Sequence, residues 1–243
     1  MRIVSLCPSI TESLVALGLG GSLAGITRYC VHPREALEGI PRVGGTKNPD
    51  FDAIAALAPD LVLCNAEENR GADVAALSKR HRVDVSHPTR VADVPPLLRR
   101  LGELTETGDV AEGWARAVEE KLSAARAGRA VRFAYLIWKG PWMAAAAGTY
   151  ISDLLETFGG VNAFPAAGAP WPKTDEEELA ALEPELVVLP DEPFPFGDAD
   201  RAHWARALPS ARVVRVPGED FCWHGVRTLR GLAAAGALLA EVA

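Results

Sequence analysis

The chain has 243 residues, 49% of them hydrophobic and 23% charged, with 25 Lys and Arg against 32 Asp and Glu for a formal net charge of −7. It is long enough to bury one large or two small cores and too apolar to be disordered. Its negative balance offers no electrostatic footprint for gripping nucleic acid or anionic lipid, and no stretch approaches the ~20 apolar residues of a membrane-spanning helix. Cys7, Cys30, Cys64 and Cys222 lie far apart without a Cys-x-x-Cys pair, so free thiols are expected and neither a zinc knuckle nor a disulfide framework. The N-terminus runs directly into strand-like residues without an apolar signal region, which as written predicts a cytoplasmic protein, or a periplasmic or extracellular one if a leader has been removed.

In chain order, short apolar strands are predicted at 3–6, 23–26, 61–64 and 83–85, then at 131–137, 186–189 and 213–216, with amphipathic helices between them. Such alternation implies parallel sheets covered by helices. From about Val94 to Ala127 the spacing of Leu97, Leu98, Leu101, Leu104, Val110, Trp114, Val118 and Leu122 predicts one or two long helices, with Gly102, Gly108 and Gly113 as bending points. The expected architecture is therefore α/β. It has an N-terminal lobe over 1–93, a linking backbone helix over 94–128 and a C-terminal lobe over 129–243, with two parallel sheets and a ligand cleft between the lobes.

A faint duplication supports two related lobes. Ala56-Leu57-Ala58-Pro59-Asp60-Leu61-Val62-Leu63 recurs 125 residues later as Ala181-Leu182-Glu183-Pro184-Glu185-Leu186-Val187-Val188, each reading as a helix that ends at Pro before a buried strand. Ile10 to Leu14 recurs as Ile151 to Leu155, and Val83 to Val85 as Val214 to Val216, in the same order.

Ligands of open parallel sheets sit outside the carboxyl ends of the strands, so the loops there are the segments to search. They hold Thr27 to Pro33, Gly44 to Pro49, Asn65 to Arg70, Trp138 to Trp142, Pro170-Trp171-Pro172, Asp191 to Phe196 and Gly218 to His224. Four of the six tryptophans, Trp138, Trp142, Trp171 and Trp223, fall in these loops, where they suit flat apolar surfaces for a ligand. Gly18-Leu19-Gly20-Gly21 follows a helix and reads as a helix end, not a dinucleotide fingerprint; no nucleophile elbow, His-Glu-x-x-His or phosphate loop occurs.

Nearly the whole chain resembles the helical-backbone substrate-binding proteins that serve importers of cobalamin, haem and iron-siderophore complexes, and among them the cobalamin-binding receptors of ABC importers. The segments that carry the resemblance are Arg2 to Leu6 with Pro8-Ser9 and Thr11-Glu12, Ala24 to Thr27 with Tyr29 and Pro33, Pro59 to Val62, and Pro170-Trp171-Pro172 with Glu177. Where cobalamin receptors tend to carry a tryptophan after the third strand, this chain has Asn65 followed by Glu67-Glu68-Asn69-Arg70, a more polar wall.

The resemblance implies a non-enzymatic binding protein, expected as a monomer, for a corrinoid or other metal chelate held as ligand without a resident cofactor. It implies ligand contacts at Tyr29, Trp171, Asp220, His224 and Arg227; Trp138, Trp142 and Trp223 join them as loop aromatics. Asp52 and Glu177 match acidic positions that dock on a membrane permease. Cys30, His32, Cys222 and His224 are soft enough to ligate metal, but neither pair alone supplies a site, so no bound metal is expected. The alternative is a cytoplasmic enzyme or chaperone of corrinoid, tetrapyrrole or metal-chelate handling that uses those four residues.

Overall fold

The computed structural model describes residues 1–166 and 168–242, and the chain divides into two compact units. The first comprises Met1–Pro88, Asp93–Glu119 and His224–Arg227; the second comprises Thr89–Ala92, Glu120–Trp223 and the chain from Thr228 onward.

In the first unit β1 (Ile3–Ser5), β2 (Leu23–Ile26), β3 (Leu61–Asn65) and β4 (Val83–Ser86) form a parallel sheet in the order β2-β1-β3-β4. Its helices are α1 (Pro8–Ala16), α2 (Phe51–Ala56), α3 (Gly71–Leu77) and α4 (Val94–Thr105). Strand residues alternate between faces, so Ile3, Leu61 and Leu63 bury against Ile10 and Leu14 of α1 and Leu97 and Leu101 of α4. Val4, Val62 and Cys64 point the other way, onto Ile54 of α2 and Leu77 of α3. A sheet covered on both faces reads as continuous apolar runs, which is why these strands are legible in the sequence.

Of the one or two helices expected over this stretch the structure has two, α4 and α5 (Gly108–Ala124). The break falls at Glu106, in the left-handed conformation (φ 59°), and the amide of Thr107 donates to Gly102 O at 2.9 Å. Gly102 itself allows close packing rather than bending: a Cβ there would lie 2.5 Å from Ala111 Cβ. Arg99 of α4 then reaches both Glu112 and Glu119 of α5 at 2.6 Å.

The sheet of the second unit is mixed, correcting the expectation of two parallel sheets. It contains β5 (Val131–Trp138), β6 (Trp142–Ala145), β7 (Gly160–Asn162), β8 (Lys173–Thr174), β9 (Leu186–Pro190) and β10 (Arg212–Val216), in the order β10-β9-β5-β6-β8 with β7 also on β5. β7, β9 and β10 run parallel to their neighbours, whereas β6 is antiparallel to β5 and β8 is antiparallel to β6. The hairpin turns at Gly140 (φ 79°), a backbone state glycine adopts freely. Ala144 and Ala145 lack the branched side chains that mark strands, yet both are fully buried in the sheet. The helices are α6 (Tyr150–Glu156), α7 (Glu176–Ala181), α8 (Asp198–Ala207), α9 (Gly218–Cys222) and α10 (Thr228–Ala240).

The 125-residue repeat is structural. Asp50 caps α2 by accepting from Ala53 N at 2.9 Å, and Asp175 caps α7 by accepting from Glu178 N at 2.9 Å. Beyond each helix a non-glycine residue takes the left-handed conformation before Pro, Ala58 (φ 43°) and Glu183 (φ 47°).

Candidate functional site

At the carboxyl end of the first sheet, a buried network of polar side chains ties the strand-end loops together. Asn69, in the loop after β3, donates to Leu6 O and Thr46 O and accepts from Asn65 N, so one amide joins three loops. Asn65 Oδ1 accepts from the amides of Glu67 and Glu68 at 2.9 and 3.1 Å. That fixes its Nδ2 toward Ser86 Oγ and toward His224 Nε2, 3.2 Å away.

His224 is 7% exposed and belongs to this unit. Because Asn65 presents a donor to Nε2, that nitrogen accepts, and the ring is neutral with its proton on Nδ1. Ser9 Oγ lies 3.3 and 3.4 Å from the two ring nitrogens. Burial holds the imidazole down at about pKa 4. Its lone pair is therefore engaged by Asn65, which removes it from metal coordination in this conformation.

Cys30 is likewise inward. Thr11 Oγ1 donates to its sulfur at 3.1 Å, and burial raises its thiol pKa. Burial also pushes Cys7 up to about 12, so neither is a ready nucleophile or ligand. His32 is half-buried near Arg42, and Cys222, half-buried, ends α9 in the second unit. Among the described residues no group of three or more His, Cys, Asp and Glu side chains is arranged to hold a metal ion.

Tyr29 faces outward, 51% exposed, with the Arg28 guanidinium 5.7 Å from its ring centroid. Gly45 leaves room for both: a Cβ there would come 3.2 Å from Tyr29 Cε2 and 3.3 Å from Arg28 Nε. Near the loop after β3, Lys47 Nζ donates to Glu67 O, and burial raises the Glu67 carboxyl while His87, 3.9 Å away, opposes the rise.

In the second unit the loop tryptophans part company. Trp138 ends β5, 43% exposed, and meets Phe194 edge-on at 5.5 Å. Trp142 is a packing residue, stacked on Phe196 and His203 and edge-on to the buried Trp204 at 4.9 Å. Lys139 lies over its ring and pairs with Asp200. Trp223 is 4% exposed and donates Nε1 to Glu192 at 3.3 Å. Trp171 is half-buried on backbone held at both sides, since Pro172 O accepts from Ala144 N of β6 and Pro170 O from Ala146 N just beyond it.

Two polar candidates turn inward. Asp220 is buried with Arg230 at 3.4 Å, and the amide at the start of α9, Gly218 N, donates to Asp191 at 2.7 Å. Arg227 is 4% exposed and forms a forked pair with Glu12 of α1, Nε and Nη2 donating at 2.7 and 2.8 Å. Asp52 and Glu177 are both exposed in the first turns of the equivalent helices α2 and α7. Missing from the sequence reading were the bridging role of Asn69 and the tie between Asn65 and His224; two asparagines flanking the end of a buried strand were the available signal.

An α/β chain of two sheet units, with strand-end loops that present aromatic rings, is the architecture of a solute-binding protein. A family model described as periplasmic binding protein matches residues 3–200, and the chain belongs to that family. A vitamin B12-binding protein of Vibrio parahaemolyticus is 27% identical over 237 residues, covering 95% of this chain and 85% of the relative. The crystal structure of the periplasmic vitamin B12 binding protein BtuF of Vibrio cholerae superposes with a TM-score of 0.87 at 23% identity, over 99% of this chain and 97% of that one. A periplasmic heme binding protein of Pseudomonas aeruginosa gives 0.81 at 25% identity, over 98% and 91%.

Proposed function

We propose that this protein is a receptor for a cobalamin-like or other metal-chelate ligand and delivers it to an ABC importer without making or breaking a bond. The observation that carries the reading is the exposure of Tyr29 and Trp138 at strand carboxyl ends, on a chain matched over 95% of its length by a vitamin B12-binding protein. A large exposed ring at such a position offers a flat apolar surface to a planar macrocycle. Trp171, half-buried just before β8 on backbone anchored to β6, adds a third ring.

The inward placement of His224 and Cys30 favours a ligand that brings its own metal coordination, because these side chains are committed to Asn65 and Thr11. Asp52 and Glu177 are the acids through which the permease would be engaged; their equivalent places on α2 and α7 support this role. Titration of the protein with cyanocobalamin, hemin and a ferric siderophore, read by tryptophan fluorescence and thermal shift, tests the proposal. Saturable quenching with stabilisation by at least one of them is expected, and silence toward all three would reject it.

A further inference from the structure

A separate feature of the first unit lies in the loop between β2 and α2. Arg34 and Leu37 belong to a short 3-10 turn there, Arg34–Leu37, and with Val31, His32 and Arg42 they line a cavity of about 320 Å³. Leu37 is buried and Val31 is 45% exposed, so one wall is apolar. Arg42 is fixed twice over: its neighbours Pro41 and Val43 hydrogen-bond Ile26, and its Nη1 donates to Thr27 O and Cys30 O at 3.2 and 2.8 Å. Neither Arg34 nor Arg42 has a carboxylate partner among the described residues, whereas Arg99, Arg100, Arg129, Arg212 and Arg227 all do.

A neighbouring cavity of about 410 Å³ shares Arg34, Leu37 and Arg42 but adds Glu35 and Glu38, which cancel the positive charge there. The smaller one holds two guanidiniums and no acid. We propose that this smaller cavity binds a small organic carboxylate with an apolar tail. The anion meets a guanidinium already held in place, which limits the entropy lost on binding, while the tail covers Val31, with the buried Leu37 as the floor behind it. Inorganic phosphate fits less well, because Val31 and Leu37, two of the five lining residues, have no side-chain donor to offer its remaining oxygens. A volume equal to about ten waters accommodates a short-chain or single-ring acid.

The test is a titration of the full chain, labelled with nitrogen-15, with hexanoate, hexanol and inorganic phosphate. Hexanoate should shift the amides of Val31 to Arg42 saturably, with hexanol and phosphate each weaker by about tenfold or more, the weight of one charge-assisted hydrogen-bond pair. Arg34→Glu should weaken hexanoate by a similar factor, and Arg34→Gln by less, both on an exposed side chain whose loss leaves the fold intact. Equal shifts by hexanol, equal binding of phosphate as an adventitious ion only, no response to hexanoate, or undiminished affinity in Arg34→Glu would each overturn the proposal.

Discussion

Arg2 and Arg132 make the same two hydrogen bonds in their respective units. Arg2 donates from its amide to Asp60 at 2.7 Å and from Nε to Leu57 O at 2.8 Å. Arg132 donates from its amide to Glu185 at 3.0 Å and from Nε to Leu182 O at 2.6 Å. The acceptors are again 125 residues apart, so the duplication extends to the contacts that brace a helix end against the start of a strand. Leu57 and Leu182 carry carbonyls that a helix end leaves without an intrahelical partner, and each arginine satisfies one.

The braced turn carries a strained residue in both copies. Ala58→Gly and Glu183→Gly should each be neutral to stabilising by at most ~1 kcal/mol, because relief of a left-handed Cβ (~1–2 kcal/mol) exceeds the freedom gained by the unfolded chain (~0.4–1 kcal/mol). Ala58→Val should destabilise. Urea midpoints decide, and opposite signs for the two glycine variants would refute the equivalence.

His224 predicts a pH dependence of stability. Its folded pKa of about 4 lies below the ordinary value of 6.5, so the unfolded state takes up the proton first. The stability it confers is complete above pH 6.5 and falls as pH drops from about 6.5 to about 4, by up to ~3 kcal/mol. His224→Gln should flatten that part of the wild-type profile, measured by urea unfolding between pH 4 and 7. An unchanged slope in the variant would show that the buried ring does not titrate in this window.

The forked pair of Arg227 and Glu12 is a packing contact, so its loss should appear in stability. Arg227→Met leaves Glu12 facing a buried site and should cost about 3–5 kcal/mol, while the double variant Arg227→Met with Glu12→Leu should recover a large part of that. Additive losses in chemical denaturation would argue that the two side chains act independently.

The fold was legible where both faces of a strand are buried, as at Val62 and Val187, and where helix caps repeat, as at Asp50 and Asp175. β6 was not, because alanines such as Ala144 carry little strand preference and their neighbours read as a loop. A break near Gly108 was among the expectations, but its seat at Glu106 was not, because the apolar spacing continues through it and a left-handed non-glycine residue has no sequence signature. Among the aromatic candidates, loop position drew attention to all four tryptophans but did not separate Trp138 from Trp142. Their difference lies in tertiary neighbours: Trp142 meets Phe196, His203 and Trp204, partners that sequence spacing does not reveal.

We propose that the outward rings bind the ligand while the inward ones hold the fold. The direct measurement is a parallel determination of cyanocobalamin affinity and urea stability for Tyr29→Ala, Trp138→Ala and Trp142→Ala. Tyr29→Ala and Trp138→Ala should each weaken binding by about 1–3 kcal/mol with stability nearly unchanged, and Trp142→Ala should lose about 2–4 kcal/mol of stability. Full affinity in both Tyr29→Ala and Trp138→Ala, with the wild-type protein binding the corrinoid, would contradict it.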